Sequence, residues 1–400
     1  LVTEADNPQV LFLFAQCEAG LGDLAAAVTT LERISPEHPE AGFAALGQAA
    51  DWLITLNQYD DAEAKLRLLV ETHPKVPFTH RRLAQLLNNR GRRWEAAPHM
   101  QALVRLGDVT ESELFGMNAF SEPFIHTLPP TMGATDIPSM ELSDSRLMLM
   151  EGKIREAREH AEGLRAKDPK STSIAAFLGR VYAELHDDEA LAQWARSLPE
   201  GIESEPEFWH AAGVWHQNQS LHPTAVRCFA EAVRRDQTDR ASFLALARSL
   251  AILEKPELAE RVMMRYRLLE QANLIVIEQQ RTRSQLERLV QILDTLRRPE
   301  EARAWETLAS RMPEVESSLY IRPQYTDIDS ARVASVSGEP KEAWLLCGIE
   351  PDDWPLPKFA ELADRLSSNE EESASPTANL SLVDVAKAVG LGFRHRPSKD

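Results

Sequence analysis

Aromatic residues are scarce, at 6% of 400 positions, and runs of β-branched residues are few. That shortage argues against a sheet architecture, which draws on those side chains. Ala, Leu, Glu and Arg abound instead, a composition that favours helix. Cysteine is scarcer still: Cys17, Cys228 and Cys347 are the three. An odd, widely spaced set excludes a disulfide framework and has no metal-ligand spacing. Cys228 precedes Phe229 on an apolar stripe, so it reads as a buried, inert thiol. No apolar run approaches the length of a membrane span, and no signal-peptide pattern opens the chain. The chain starts at Leu1, not Met, as expected of an excised segment, so its compartment is unknown. Positive charge is also short, with 44 Lys and Arg against 62 Asp and Glu and a formal charge of −18. Such a balance argues against a general nucleic-acid surface, which needs clustered cations. It suits solubility and basic partners.

What is present is a repeating pattern, clearest from Pro206 to Asp239. A first helix carries Trp209, the pair Ala212-Gly213 and then His216. After a break at Asn218 to Pro223 come Ala225, Phe229 and Ala232, one apolar stripe at spacings of four and three. Large residues beside small ones let two antiparallel helices pack closely. The hairpin keeps a spare apolar face that only a neighbouring hairpin can cover. This stretch resembles a tetratricopeptide repeat, with His216 where that family prefers Tyr and Gln237 where it prefers Pro. The resemblance implies an all-α fold, a right-handed superhelical solenoid of about eight to nine helical hairpins.

The small residue that opens each second helix tests whether the unit recurs. Ala27, Ala62, Ala96, Ala157, Ala190, Ala225, Ala259, Ala302 and Ala343 are separated by 35, 34, 61, 33, 35, 34, 43 and 41 residues. Five of the eight intervals fall within one residue of the tetratricopeptide period. Carboxylates before Ala62, Ala96, Ala157 and Ala190 suit helix N-termini, and prolines before Ala259, Ala302 and Ala343 suit a first turn. Repeats 1–3 are expected over 1–108, with Phe14-Ala15 on the stripe of the first. An irregular insertion rich in Pro, Gly and Thr follows at 109–138, which either folds over the solenoid or is mobile. Repeats 4–9 are expected over 139–348, with Leu268 to Arg283 lengthening helices and a degenerate last unit at Ala331, Gly338, Ala343 and Cys347. A capping helix is expected at 349–366 and an acidic linker at 367–380. Residues 381–400 are a tail or the start of a further domain. There, Ser381 to His395 resembles the opening strand of FG-GAP (integrin-like) β-propeller domains, which follow tetratricopeptide arrays in many bacterial proteins.

Chemistry is hard to find. His210, His216 and His222 stand six apart, whereas ligands on one helix face want three or four. Asp327 and Asp329 begin like a calcium loop, but Ala331 and Val333 break it. Gly390 and Gly392 have no third glycine and no following helix. No nucleophile elbow, zinc-protease helix or P-loop occurs. The expectation is therefore a protein that is not an enzyme and uses no cofactor or metal.

What remains is surface. In tetratricopeptide arrays the first helices line the concave face, which receives peptides or partner helices. Matching each unit to that motif places Phe78, Arg81, Gln85, Asn88, Asn89, Arg180, His210, Gln217, Asn218 and Arg248 there. Arg and Asn suit a carboxylate or a peptide backbone. Repeat 3 is also locally basic, through Lys75, Arg81, Arg82, Arg90, Arg92, Arg93 and Arg105, which either bind a partner or offset nearby carboxylates. The resulting expectation is a scaffold holding a protein or peptide partner, with no nucleic acid and no membrane span. A spacer module for an attached propeller is the alternative. An RNA-reading helical-repeat protein of the pentatricopeptide kind is the third, opposed by the charge of −18.

Overall fold

Each helical segment of the chain turns back on itself after about four turns, and the turn chemistry is the same each time. The structure, a computed structural model, describes residues 7–120, 141–278, 281–312 and 345–357. These fall in one compact unit, Leu1–Pro357, and the second unit, Lys358–Asp400, lies outside them. Among the described residues there are helices and turns but no strands.

Eight hairpins follow in order: α1 (Pro8–Gly20) with α2 (Leu24–Leu31), α3 (Gly42–Thr55) with α4 (Tyr59–Thr72), and α5 (Pro77–Asn89) with α6 (Arg93–Leu106). After the single helix α7 (Glu111–Asn118) come α8 (Leu142–Met150) with α9 (Ile154–Lys167), and α10 (Thr172–Glu184) with α11 (Asp188–Ala195). The last three are α12 (Pro206–Asn218) with α13 (His222–Arg235), α14 (Arg240–Ile252) with α15 (Pro256–Ile277), and α16 (Arg283–Thr295) with α17 (Pro299–Ser310). Each first helix ends in one residue of positive φ: Gly22, Asn57, Gly91, Gly152, His186, Ser220, Glu254 and Arg297. The next residue's N–H then reaches back five positions, as Asp23 does to Glu18 and Leu221 does to His216. That is the Schellman closure, which satisfies carbonyls the helix end leaves free. The chain is an all-α solenoid of helical hairpins.

The marker alanines explain the close packing. Ala27, Ala62, Ala96, Ala157, Ala225 and Ala302 are at most 1% exposed, so a larger side chain has no room at these crossings. The stripe of repeat 1 is buried at Leu11, Ala15, Ala27, Leu31 and Ile34, but Phe14 is 55% exposed and not part of it. Two other expectations resolve here. The long interval between Ala259 and Ala302 is helix α15, 22 residues against 14 in α13. Within the supposedly irregular 109–138, α7 is a regular helix started by a capping box. Glu113 N–H donates to Thr110 Oγ1 (3.3 Å), and Thr110 N–H donates to Glu113 Oε2 (2.7 Å). The spacing Thr110 to Glu113 carried that signal. Most of the ninth unit and of the capping helix, the acidic linker and the propeller-like stretch lie outside the described residues. At 349–357 the chain forms only the short turn Pro351–Asp353.

Helix α7 ties distant parts of the array together. Leu114, Met117 and Phe120 are at most 8% exposed and join one apolar core with residues of α5, α6, α15 and α17. Arg298, at the start of α17, donates to Met117 O (2.9 Å), and Arg281 pairs with Glu111. The amides of Asn118 and Asn273 meet at 3.0 Å.

Burial also sorts the thiols. Cys17 is exposed on α1, whereas Cys228 is fully buried, where burial pushes its thiol well up. A soluble maleimide will label Cys17 in the native chain and reach Cys228 only on unfolding, as peptide mass mapping would show.

Candidate interaction surface

Polar residues on the first helices meet one another across neighbouring repeats. Arg82 on α5 donates from Nε to Asp51 Oδ1 on α3 (3.1 Å). His210 Nδ1 on α12 lies 2.7 Å from Ser242 Oγ on α14, and Gln217 Nε2 donates to Ser249 Oγ (3.1 Å). Partners stand 31 or 32 residues apart, close to one repeat, so α3 meets α5, and α12 meets α14, through side chains of successive first helices.

Many of the expected binding residues use their polar atoms within that face. Arg180 is 7% exposed, and its fork holds Asp239 with Nη1 to Oδ2 at 3.1 Å and Nη2 to Oδ1 at 3.3 Å. Burial works against its charge, but Asp239 and Glu184 outweigh burial and push its pKa up. His210 is 5% exposed, and burial beside Arg180 lowers it to about 4, so it is neutral at pH 7. Asn89 is 5% exposed, and Asn88 donates to Met100 Sδ (3.5 Å). Arg81 is taken by the insertion: its Nε donates to Glu113 Oε1 (2.6 Å), a bond that leads the upward shift of its pKa. Asn218 is exposed and donates to Asp188 Oδ1 (3.0 Å). Arg248 is exposed, and Gln85 is half-buried beside Arg82, whose Nη1 it accepts at 3.2 Å. Phe78 differs from all of these. It leaves 40% of its surface in solvent and packs tilted against Phe43 of α3, with ring centres 6.1 Å apart; a Cβ added at Gly47 would stand 3.6 Å from its ring.

The basic residues of repeat 3 are matched by carboxylates. Arg90 pairs with Asp60, Glu63 and Glu141, and Arg92 with Glu63 and Glu95. Arg93 is not on the surface at all, being 3% exposed. Of the two readings given for this patch, the pairs realise charge offset. Glu63 is the centre of this network, only 9% exposed on its side chain between Arg90 and Arg92.

Sequence reasoning missed a buried charged cluster. Arg146 on α8 grips Glu207 on α12 through two bonds of 2.6 and 2.7 Å, with exposures of 3% and 1%. Arg146 Nε also donates to Gly91 O (3.1 Å), and its guanidinium lies 4.9 Å from the Phe177 ring centre. Gly91 has to be glycine: its φ is +78°, and a Cβ would stand 2.7 Å from Ser143 N. Burial opposes ionisation of Glu207, but Arg146 outweighs it and holds the carboxyl below its usual range. Burial and the charge of Arg146 lower Arg93 to about 9. The only sequence trace of this cluster was charge at positions where helix stripes are otherwise apolar.

The array is tetratricopeptide-like. Its evidence is internal: eight hairpins closed by one turn type, small residues at the crossings and the period carried by the marker alanines. No family model matches the chain, and no curated protein matches it. Solved structures similar to it include the human IFIT1 dimer with PPP-AAAA, at 14% identity over 74% of this chain and 81% of that one, TM-score 0.30. Another is a tetratricopeptide repeat protein from Parabacteroides merdae, at 13% identity over 76% of this chain and 92% of that one, TM-score 0.24. A third is the APC/C hetero-tetramer Cut9-Hcn1, at 15% identity over 76% and 65%, TM-score 0.30. Scores this low carry no argument about function. Among the described residues, no helix is long and apolar enough to cross a membrane.

Proposed function

We propose that this chain is a non-enzymatic interaction scaffold, and that the face of α3 and α5 takes a peptide or a segment of a partner protein. One observation carries the reading. Phe78 is a large apolar side chain left 40% exposed on a first helix, packed against Phe43 and one helical turn from Arg82, which pairs with Asp51. Aromatic side chains, phenylalanine included, and arginine are enriched at the cores of protein interfaces. Gln85 and Arg82 supply donors and acceptors for a peptide backbone next to it. Arg180, His210 and Asn89 then hold the face in shape, and Arg248 and Asn218 extend it further along the array.

The test compares the wild-type chain with a Phe78→Ala/Arg82→Ala variant, each immobilised in extract from the source cells. Bound protein and bound RNA are quantified separately. The expected result is a set of proteins whose recovery falls about tenfold or more with the variant, as loss of a hot spot requires. Equal recovery by both forms overturns the reading. So does loss of RNA with no loss of protein, which would favour the RNA-reading alternative.

A further inference from the structure

The carboxyl-terminal end of the α7 segment is held by a chain of hydrogen bonds that ends on a buried acid. Phe120 N–H donates to Thr238 Oγ1 (2.9 Å), and Thr238 Oγ1 donates to Asp236 Oδ1 (2.6 Å). Thr238 N–H donates to the same Oδ1 (2.9 Å). On its other side, Phe120 O accepts from Arg93 Nη1 (3.3 Å). Phe120 therefore closes over the link between α13 and α14. Beneath it Asp236 is 2% exposed, and its second oxygen, Oδ2, accepts no hydrogen bond. A buried carboxylate oxygen without a partner is costly when charged and much less so when protonated.

We propose that Asp236 is a proton-operated latch for α7, closed while its carboxyl is protonated and loosened when it ionises. The groups around it do not remove the penalty. Asp239, on the same link, is held ionised by Arg180 and Ser242, so its charge repels a charge on Asp236. From α12, His210 is neutral near pH 7 and Glu207 is already committed to Arg146 of α8. From α10, Arg180 is engaged with Asp239. Arg93 of α6 is the nearby cation that also holds Phe120 O. Glu205 is another buried acid of the region, raised by burial, and its Oε1 accepts from Ser173 and Thr172 of α10. Burial and Asp239 together push Asp236 up to about 7.

The sign follows from linkage. A carboxyl with a higher pKa in the closed state favours closure at low pH. That advantage shrinks as pH rises from about 4, the value of an exposed Asp, and is spent above about 7. Amide hydrogen exchange of residues 111–120, corrected for intrinsic rate, reads the opening directly. In the wild-type chain protection should fall roughly tenfold per pH unit between about pH 5 and 6.5, then level off above about 7. Asp236→Asn should give a flat profile over that range. A flat wild-type profile, or the same slope in the variant, overturns the latch. Should the variant not fold, the wild type decides alone. A slope confined to 111–120 supports the latch, and an equal slope in α3 and α4 overturns it.

Discussion

Glu207→Ala will destabilise the chain by roughly 3–5 kcal/mol, because it leaves the Arg146 guanidinium charged and buried with half its partners gone. Arg146→Ala should do about the same, with Gly91 O also losing its donor. Few substitutions reach this size, since most cost between about 0.5 and 3 kcal/mol. The size comes from burial, as both side chains are almost wholly out of water. The effect is therefore about uncompensated charge and not about the worth of the pair itself. An Arg146→Met/Glu207→Leu double variant fills similar volume without charge and should recover most of the loss. Urea unfolding followed by circular dichroism measures all four forms. Equal loss in the double variant and the singles would refute this account, as would a loss below about 1 kcal/mol in Glu207→Ala.

Phe229→Ala should cost a similar amount, about 3–5 kcal/mol, by a different route. Phe229 is fully buried on α13 and its ring lies against Gly213 of α12, where a Cβ would stand only 2.5 Å from the ring. His210 flanks the same ring at 5.9 Å between centroids. Removing the ring opens a cavity that two helices locked by their Schellman turn can close only in part. The converse change overfills the same space: Gly213→Ala must push the ring aside, at about 1–3 kcal/mol. Because one contact governs both, Gly213→Ala combined with Phe229→Leu should cost less than the sum of the separate changes. Denaturant midpoints of the single and double variants check this, and simple additivity would mean that the two sites do not share that space.

The repeat was legible because its marker sits where nothing larger than alanine fits. Ala27, Ala62, Ala96 and Ala225 record the crossing of two helices whatever the turn between them is made of. The turns themselves are poor signals. Gly22, Gly91 and Gly152 announce a left-handed residue, but His186, Ser220, Glu254 and Arg297 adopt the same conformation without any local sign. The face of first helices was also legible, since period and motif place its residues. Availability was not. Arg180 and His210 occupy first-helix positions but are sealed by Asp239 and Ser242, which arrive from a repeat or more away. Arg81 is likewise taken by Glu113 of α7, a single helix that belongs to no hairpin of the repeat.

Helix α7 also sets an order of events on the ribosome. Repeats 1–3 can stack as they emerge, each on the one before it. Leu114 and Met117 cannot be covered so soon, for Arg298, which grips Met117 O, is made 181 residues later. At about 5–20 residues per second, α7 waits roughly ten to forty seconds with only α5 and α6 to pack against. During that interval the nascent chain presents a short sticky helix, and a chaperone that covers it would be standing in for α15 and α17, which have yet to be synthesised.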